Sequence, residues 1–169
     1  MRPDDLRALQ APLKDLYRAE PERAVVTLHA DGRLDDAGIA CRVETGQALV
    51  EAGLHPATGG TGMQACSGDL LLQALVACAG VTLRAVATAL DIPVTSGRVS
   101  AEGDLDFRGT LGVSKEAKVG FGAIRLRFEL ETSASEEQLA TLLKLTERYC
   151  VVLQTLRVSP EVGVSVTRQ

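Results

Sequence analysis

The chain has 169 residues, enough for one domain, and 46% of them are hydrophobic although it holds only two Tyr, three Phe and no Trp. Its formal net charge of −4, with 18 basic residues scattered along the chain, excludes the clustered Lys and Arg that phosphate binding requires. The scarcity of aromatic rings removes the stacking surface of a single-strand binder and leaves a core of Leu, Val, Ala and Ile.

At the N-terminus, Leu6, Leu9, Leu13, Leu16 and Tyr17 recur at helical spacing between charged residues, which predicts an amphipathic helix over 3–19 that ends before Pro21. Asp4 and Asp5 stand where a secretory signal would be basic, with no apolar stretch behind them, so a cytoplasmic location with reduced cysteines is expected. Residues 24–30 are rich in Val and Thr and read as a strand, with Asp31-Gly32 as the following turn. Residues 38–44 alternate Ile39, Cys41 and Val43 against Ala40, Arg42 and Glu44, and Thr45-Gly46 turns into a strand over 47–52. Together these predict a three-stranded antiparallel meander.

Residues 53–68 hold five glycines and one proline, a loop signature. Ser67 reads as an N-cap, and Asp69 adds a favourable charge to the first helical turn. The helix that follows, over 70–90, is apolar on nearly every side, which predicts burial. Gln73 and Arg84 interrupt it, so no uninterrupted apolar run of about 20 residues exists and no membrane-spanning helix is expected. Asp91-Ile92-Pro93 ends it. Two strands come next, over 97–107 and 123–131, joined by a loop over 108–119. In the second strand Ile124, Leu126, Phe128 and Leu130 face a core, while Arg125, Arg127, Glu129 and Glu131 face water. Ser135 and Gln138 have capping-box spacing and open a helix over about 136–157; residues 162–167, beyond Pro160, read as a closing strand. Segregated strand groups around buried helices predict an α+β fold.

Cys78 lies mid-helix in Leu75-Val-Ala-Cys78-Ala-Gly, and Cys150 lies in Glu147-Arg-Tyr-Cys150-Val-Val. Two cysteines on two core helices can meet across a helix–helix contact. Free cysteine is also among the most buried residue types and packs as a small hydrophobe, and on spacing alone inert packing outweighs redox chemistry for either residue. Cys41 shares its strand face with Ile39 and Val43, which favours core packing. Cys66, in the glycine-rich loop, reads as an incidental loop cysteine, with a third redox thiol or alternative resolving residue as the sharper reading. His55, before Pro56, is a turn residue. Cys66, Cys78, Cys150 and His55 lack the paired short spacings of a metal site, so no metal is expected.

The segment Ser67-Gly-Asp69-Leu-Leu-Leu-Gln-Ala-Leu-Val-Ala-Cys78 resembles the signature of the OsmC/Ohr superfamily (osmotically inducible protein C and organic hydroperoxide resistance protein), in which an acid precedes a Leu-rich helix and the first redox cysteine. It is most similar to the branch with that acid nine residues before the cysteine. Gly59-Gly60, Gly103-Asp104-Leu105 and Glu147-Arg148-Tyr149-Cys150 match the family's other blocks in order, and the resemblance spans about residues 24–167. It implies one OsmC-like domain over 21–169 with an added amphipathic helix over 1–20. The implied fold is α+β, with two long helices buried between curved antiparallel sheets in an intertwined homodimer. A mean hydropathy of +0.10 and a helix apolar all round also favour association with a second copy.

The resemblance further implies a thiol peroxidase acting on hydroperoxides, with Cys78 peroxidatic and Cys150 resolving. No cofactor is implied; a small dithiol or a dithiol-carrying protein would reduce the resulting disulfide. Apolar burial raises a cysteine pKa and the dipole of the cysteine's own helix fades after one turn, so a cation must hold the Cys78 thiolate. By family position that cation is Arg33, oriented by Asp69. Arg33 reads equally as a solvated turn residue, and Asp69 as a first-turn acid serving its helix. Nine residues at about 100° each set Asp69 and Cys78 on opposite sides of a continuous helix. Two departures stand out: Val151 follows the second cysteine where many relatives carry proline, and Asp69 is one methylene shorter than the usual Glu. Leu75, Val76, Val81 and Leu153 near the thiols point to organic peroxides. The competing readings are a non-catalytic carrier of an apolar ligand and a thiol redox sensor; neither nucleic acid nor membrane is an expected partner.

Overall fold

The computed structural model describes residues 2–20, 31–34, 40–44, 49–112 and 114–168, with the backbone alone for 9, 13, 17, 18, 31–34, 40–44 and 49. The first element, α1 (Pro3–Ala19), opens with a proline in its first turn, where a missing N–H costs nothing, and carries Pro12 inside. Three short strands follow: β1 (Asp31–Leu34), β2 (Ala40–Glu44) and β3 (Leu49–Gly53), antiparallel in chain order. Asp31 and Gly32 are strand residues paired with Glu44 and Val43, so they are not the expected turn. The pairing continues to Leu34, opposite Cys41. The strand expected over 24–30 and the side chain of Cys41 lie outside the described residues.

The glycine-rich segment contains a 3-10 turn (Pro56–Thr58) that ends on Gly59 at φ 91°, a left-handed conformation that glycine adopts without strain. It then adds β4 (Ala65–Cys66), parallel to β3, and Gln64 Nε2 donates to Glu51 Oε1 at 2.7 Å across this connection. The central helix, α2 (Ser67–Ala89), has Cys66 rather than Ser67 at its N-cap, one residue earlier than expected. Leu75, Ala79, Leu83 and Val86 make a buried stripe at helical spacing. The opposite side is open: Val81 is 71% exposed, so within this chain the helix is not buried all round. By length and apolarity α2 also reaches the dimensions of a membrane span, with a mean hydropathy of 1.9, despite Gln73 and Arg84. Here it packs instead on protein, against the strand over 94–105 and the helices over 136–149 and 151–157.

Two long strands, β5 (Val94–Leu105) and β6 (Phe121–Thr132), pair antiparallel along their length. As the alternation of β6 predicts, Ile124, Leu126 and Phe128 pack towards α2, and Arg125 faces outward, opposite Glu102 and 2.5 Å from Asp104. Their connection, expected as loop, contains a single helical turn, α3 (Phe107–Thr110). The predicted capping box is present: Ser135 Oγ accepts from the Gln138 amide, and Gln138 Oε1 accepts from the Ser135 amide.

The helix expected over 136–157 is two helices, α4 (Glu136–Tyr149) and α5 (Val151–Arg157), broken at Cys150, whose φ −72° and ψ 105° are extended. The break is closed from both sides. Gln154 Nε2 donates to the Glu147 carbonyl at 2.6 Å, satisfying an acceptor at the end of α4, and Arg157 pairs with Glu147 at 2.8 Å. Residues 160–168 form no strand, correcting the expected closing strand; their alternating valines are exposed and no described strand edge pairs with them.

The core has two parts strung along α2. Leu83, Val86, Ala87, Ile92 and Leu142 fill one; Leu75, Ala79 and Cys150 fill the other, with Cys78 packed beside them. The architecture is α+β.

Candidate active site

Cys78 and Cys150 lie 72 residues apart in sequence, and the fold brings them together. Cys78 sits halfway along α2 and is partly exposed; Cys150 sits in the break between α4 and α5 and is 0% exposed. Both are free thiols. Cys78 packs against the buried cluster that holds Cys150, and a hydrogen bond from the Cys150 thiol favours the Cys78 thiolate.

The break gives this pair its electrostatics. A helix that restarts exposes amide N–H groups with no helical acceptor. Those of Val151 and Val152, the first two residues of α5, are directed at the Cys78 sulfur. Burial pushes the Cys78 thiol up, but these amides, the Cys150 thiol and the Thr82 hydroxyl together outweigh it and hold Cys78 below an ordinary cysteine. Cys150 goes the other way. Burial pushes it up, the Leu153 and Val152 amides oppose that, and the neighbouring Cys78 anion adds to the rise. The outcome is one accessible thiol poised to ionise beside one buried thiol that keeps its proton.

The sequence calls for a cation beside Cys78 and for one helix over 136–157; among the described residues the donors that lower Cys78 include the amides of α5, the second of the two helices found there. Arg33 lies in β1, its backbone opposite Arg42, and its side chain lies outside the described residues. Asp69 is exposed in the first turn of α2 and does not join the pair. Nine residues of helix rise put it about 13 Å away along the axis, and it lines a cavity of about 400 Å³ with Leu72, Gln73 and Val76. Val76 is therefore on that other side and Val81 is largely exposed, whereas Leu75 and Leu153 do pack with the thiols.

Cys66 precedes Cys78 by 12 residues, about 18 Å of helix, too far to resolve it within one chain. It lines a cavity of about 250 Å³ with His55 and Asp69. His55 is a turn residue: its Nδ1 accepts from the Ala57 amide at 3.0 Å and its ring stacks on Phe107 at 4.9 Å. Among the described residues no three of His, Cys, Asp and Glu converge as metal ligands. A groove of about 630 Å³ runs from Leu75 and Leu153, beside the thiols, past Phe121 and Leu156 to Arg127 and Arg157.

The sequence model of one family, described as OsmC-like protein, matches residues 60–165. No curated protein matches the chain in sequence. Among solved structures, an OsmC-like protein from Mycoplasma pneumoniae superposes with a TM-score of 0.66 at 16% identity, covering 79% of this chain and 89% of that one. An organic hydroperoxide resistance protein from Elizabethkingia anophelis gives 0.63 at 17% identity, with 80% and 91% covered. An organic hydroperoxide resistance protein OsmC from Legionella pneumophila gives 0.62 at 16% identity, with 79% and 91% covered. At these identities the likeness is one of fold.

Proposed function

Because the chain belongs to the OsmC-like protein family, we propose that it is a thiol-dependent hydroperoxide reductase that works through Cys78 and Cys150. The observation that carries this reading is the division of labour between the two sulfurs: the accessible one is held below an ordinary thiol, and the buried one in contact with it is held above. A peroxidase needs that order. Two of the similar folds are organic hydroperoxide resistance proteins, which supports the same chemistry.

In the proposed cycle the Cys78 thiolate attacks the distal oxygen of a hydroperoxide. The S–O bond forms, the O–O bond breaks and an alkoxide leaves, taking a proton from the adjacent Cys150 thiol. The Cys150 thiolate so formed attacks the Cys78 sulfenic acid, makes the disulfide and releases hydroxide. A small dithiol or a dithiol-carrying protein then returns both thiols by exchange, so the protein needs no resident cofactor. The apolar surroundings of the pair, Leu75, Leu153 and the groove they open, favour an organic hydroperoxide over a small polar one. A second copy of the chain covers the open side of α2 and the valines of residues 160–168, in an intertwined dimer.

The same groove, whose lining includes Leu75 and Leu153 but neither cysteine, favours one other reading, a carrier of an apolar ligand in which the cysteines only pack behind the wall. Turnover separates the two. A peroxidase consumes cumene hydroperoxide with a dithiol, loses this with Cys78→Ser, and with Cys150→Ser accumulates a sulfenic acid that dimedone traps. A carrier shows little turnover and little response to either substitution.

A further inference from the structure

Nothing in the segment from Tyr149 to Leu153 forbids a helix, since it contains neither proline nor glycine. The chain nevertheless leaves the helical path at Cys150, where ψ is 105° against about −42° in a helix. The backbone ladder stops and restarts there. The Cys150 N–H makes the last bond of α4, to the Thr146 carbonyl at 3.0 Å, and the Cys150 carbonyl takes the first bond of α5, from the Gln154 N–H at 2.9 Å. In an unbroken helix the Glu147 carbonyl would accept from the Val151 N–H. Here it accepts from the Gln154 side chain, whose Nε2 lies 2.6 Å away, while Arg157 holds the Glu147 carboxylate at 2.8 Å.

We propose that Gln154 is a positioning residue for the thiol pair: its side-chain amide takes the place of the Val151 N–H on the Glu147 carbonyl and so holds the chain extended at Cys150. The inference rests on the peroxidase reading for its purpose, though not for its test. With the Gln154 amide in place the Glu147 carbonyl is satisfied, and closing the helix gains no missing bond. Without it, an orphaned carbonyl and the Val151 N–H draw α4 and α5 into one helix. The buried seat of Cys150 beside Leu75 and Ala79 belongs to the broken form. So does the packing of Val152, Leu153 and Leu156 on the cluster that includes Cys78. A helical ψ at Cys150 would swing α5 and carry those side chains off the cluster. Arg157 assists by tying α5 back to the same residue of α4.

The test is the rate at which diamide links Cys78 to Cys150, read by mass spectrometry on the joined peptides, in wild type, Gln154→Met, Val151→Pro and the double variant. Diamide takes two electrons and two protons from the thiols as the S–S bond forms, so no peroxide chemistry enters. Methionine keeps the length of the side chain and removes the donor. Proline at 151 has no N–H to return to Glu147, and its ring clashes with that carbonyl in a helix, so it keeps the break open without Gln154. Gln154→Met forms the disulfide about fivefold slower than wild type, the population lost with one hydrogen bond of ordinary strength. Added to Val151→Pro, the same substitution leaves the rate unchanged. A merely structural role slows both backgrounds alike. Circular dichroism and the melting temperature establish that each variant is folded. A Gln154→Met rate equal to wild type overturns the proposal, as do an equal slowing in the Val151→Pro background and a wild type that forms no disulfide between Cys78 and Cys150. Peroxide consumption by the wild type is measured separately: its absence, with the slowing confined to the Val151 background, sinks the peroxidase reading and leaves the positioning role in place.

Discussion

Two cysteines that touch cannot titrate independently, and here their surroundings push them in opposite directions. Cys78 is depressed by α5 amides, the Cys150 thiol and Thr82 against the cost of burial, so it ionises below the ordinary thiol range. Once ionised it holds Cys150 above that range. Iodoacetamide labelling followed by peptide mass spectrometry should therefore modify Cys78 first as pH rises, with Cys150 responding only at distinctly higher pH. Labelling in the reverse order would contradict the assignment of roles. One turn before Cys150, Thr146 is 1% exposed and its hydroxyl finds no partner among the described residues. A buried hydroxyl left unbonded costs on the order of 1–3 kcal/mol, so Thr146→Val, which keeps the shape, should raise the stability to chemical denaturation by about 1 kcal/mol or more. A loss of stability would mean that the hydroxyl is bonded in solution.

At the scale of elements, most of the helices and long strands were legible because their burial follows the sequence period. The alternation of 123–131, the capping box at Ser135 and the apolar stripe of α2 are each a local pattern whose structural outcome is local. The break at Cys150 was not read. Residues Thr146 to Gln154 keep a helical composition, and what divides them is a long-range arrangement: Gln154 reaches back to Glu147, and the freed amides of α5 find sulfur on α2. One sign was available. A proline after this cysteine in many relatives suits the first position of a helix, which is where Val151 stands. Val151→Pro should accordingly fold, with a melting temperature near that of wild type, yet remove one amide from Cys78 and move its alkylation profile to higher pH. An unchanged profile would show that the Val151 amide does not act on the sulfur. The packing around the pair is tested by Leu75→Ala, which empties a fully buried position and should cost about 2–5 kcal/mol.

For the whole molecule, the single chain leaves much apolar surface uncovered. Val81 on α2 is 71% exposed, and Val164 and Val166 are 95% and 91% exposed. The helix expected to be buried all round is buried on one side, and the expected closing strand has the alternation of a strand but joins no edge among the described residues. Sequence periodicity reports which residues seek cover, not whether the cover comes from the same chain. We expect a second copy to supply it, so sedimentation at micromolar concentration should give about twice 17.8 kDa. A single-chain mass would contradict this and the assembly it implies. The account as a whole turns on whether the two sulfurs react with one another. The most direct measurement is disulfide mapping of the folded protein after one equivalent of cumene hydroperoxide, with remaining thiols blocked before digestion. The prediction is a peptide linked through Cys78 and Cys150, with Cys66 blocked as a free thiol. Peroxide treatment that leaves residues 78 and 150 unlinked in a folded protein would contradict it.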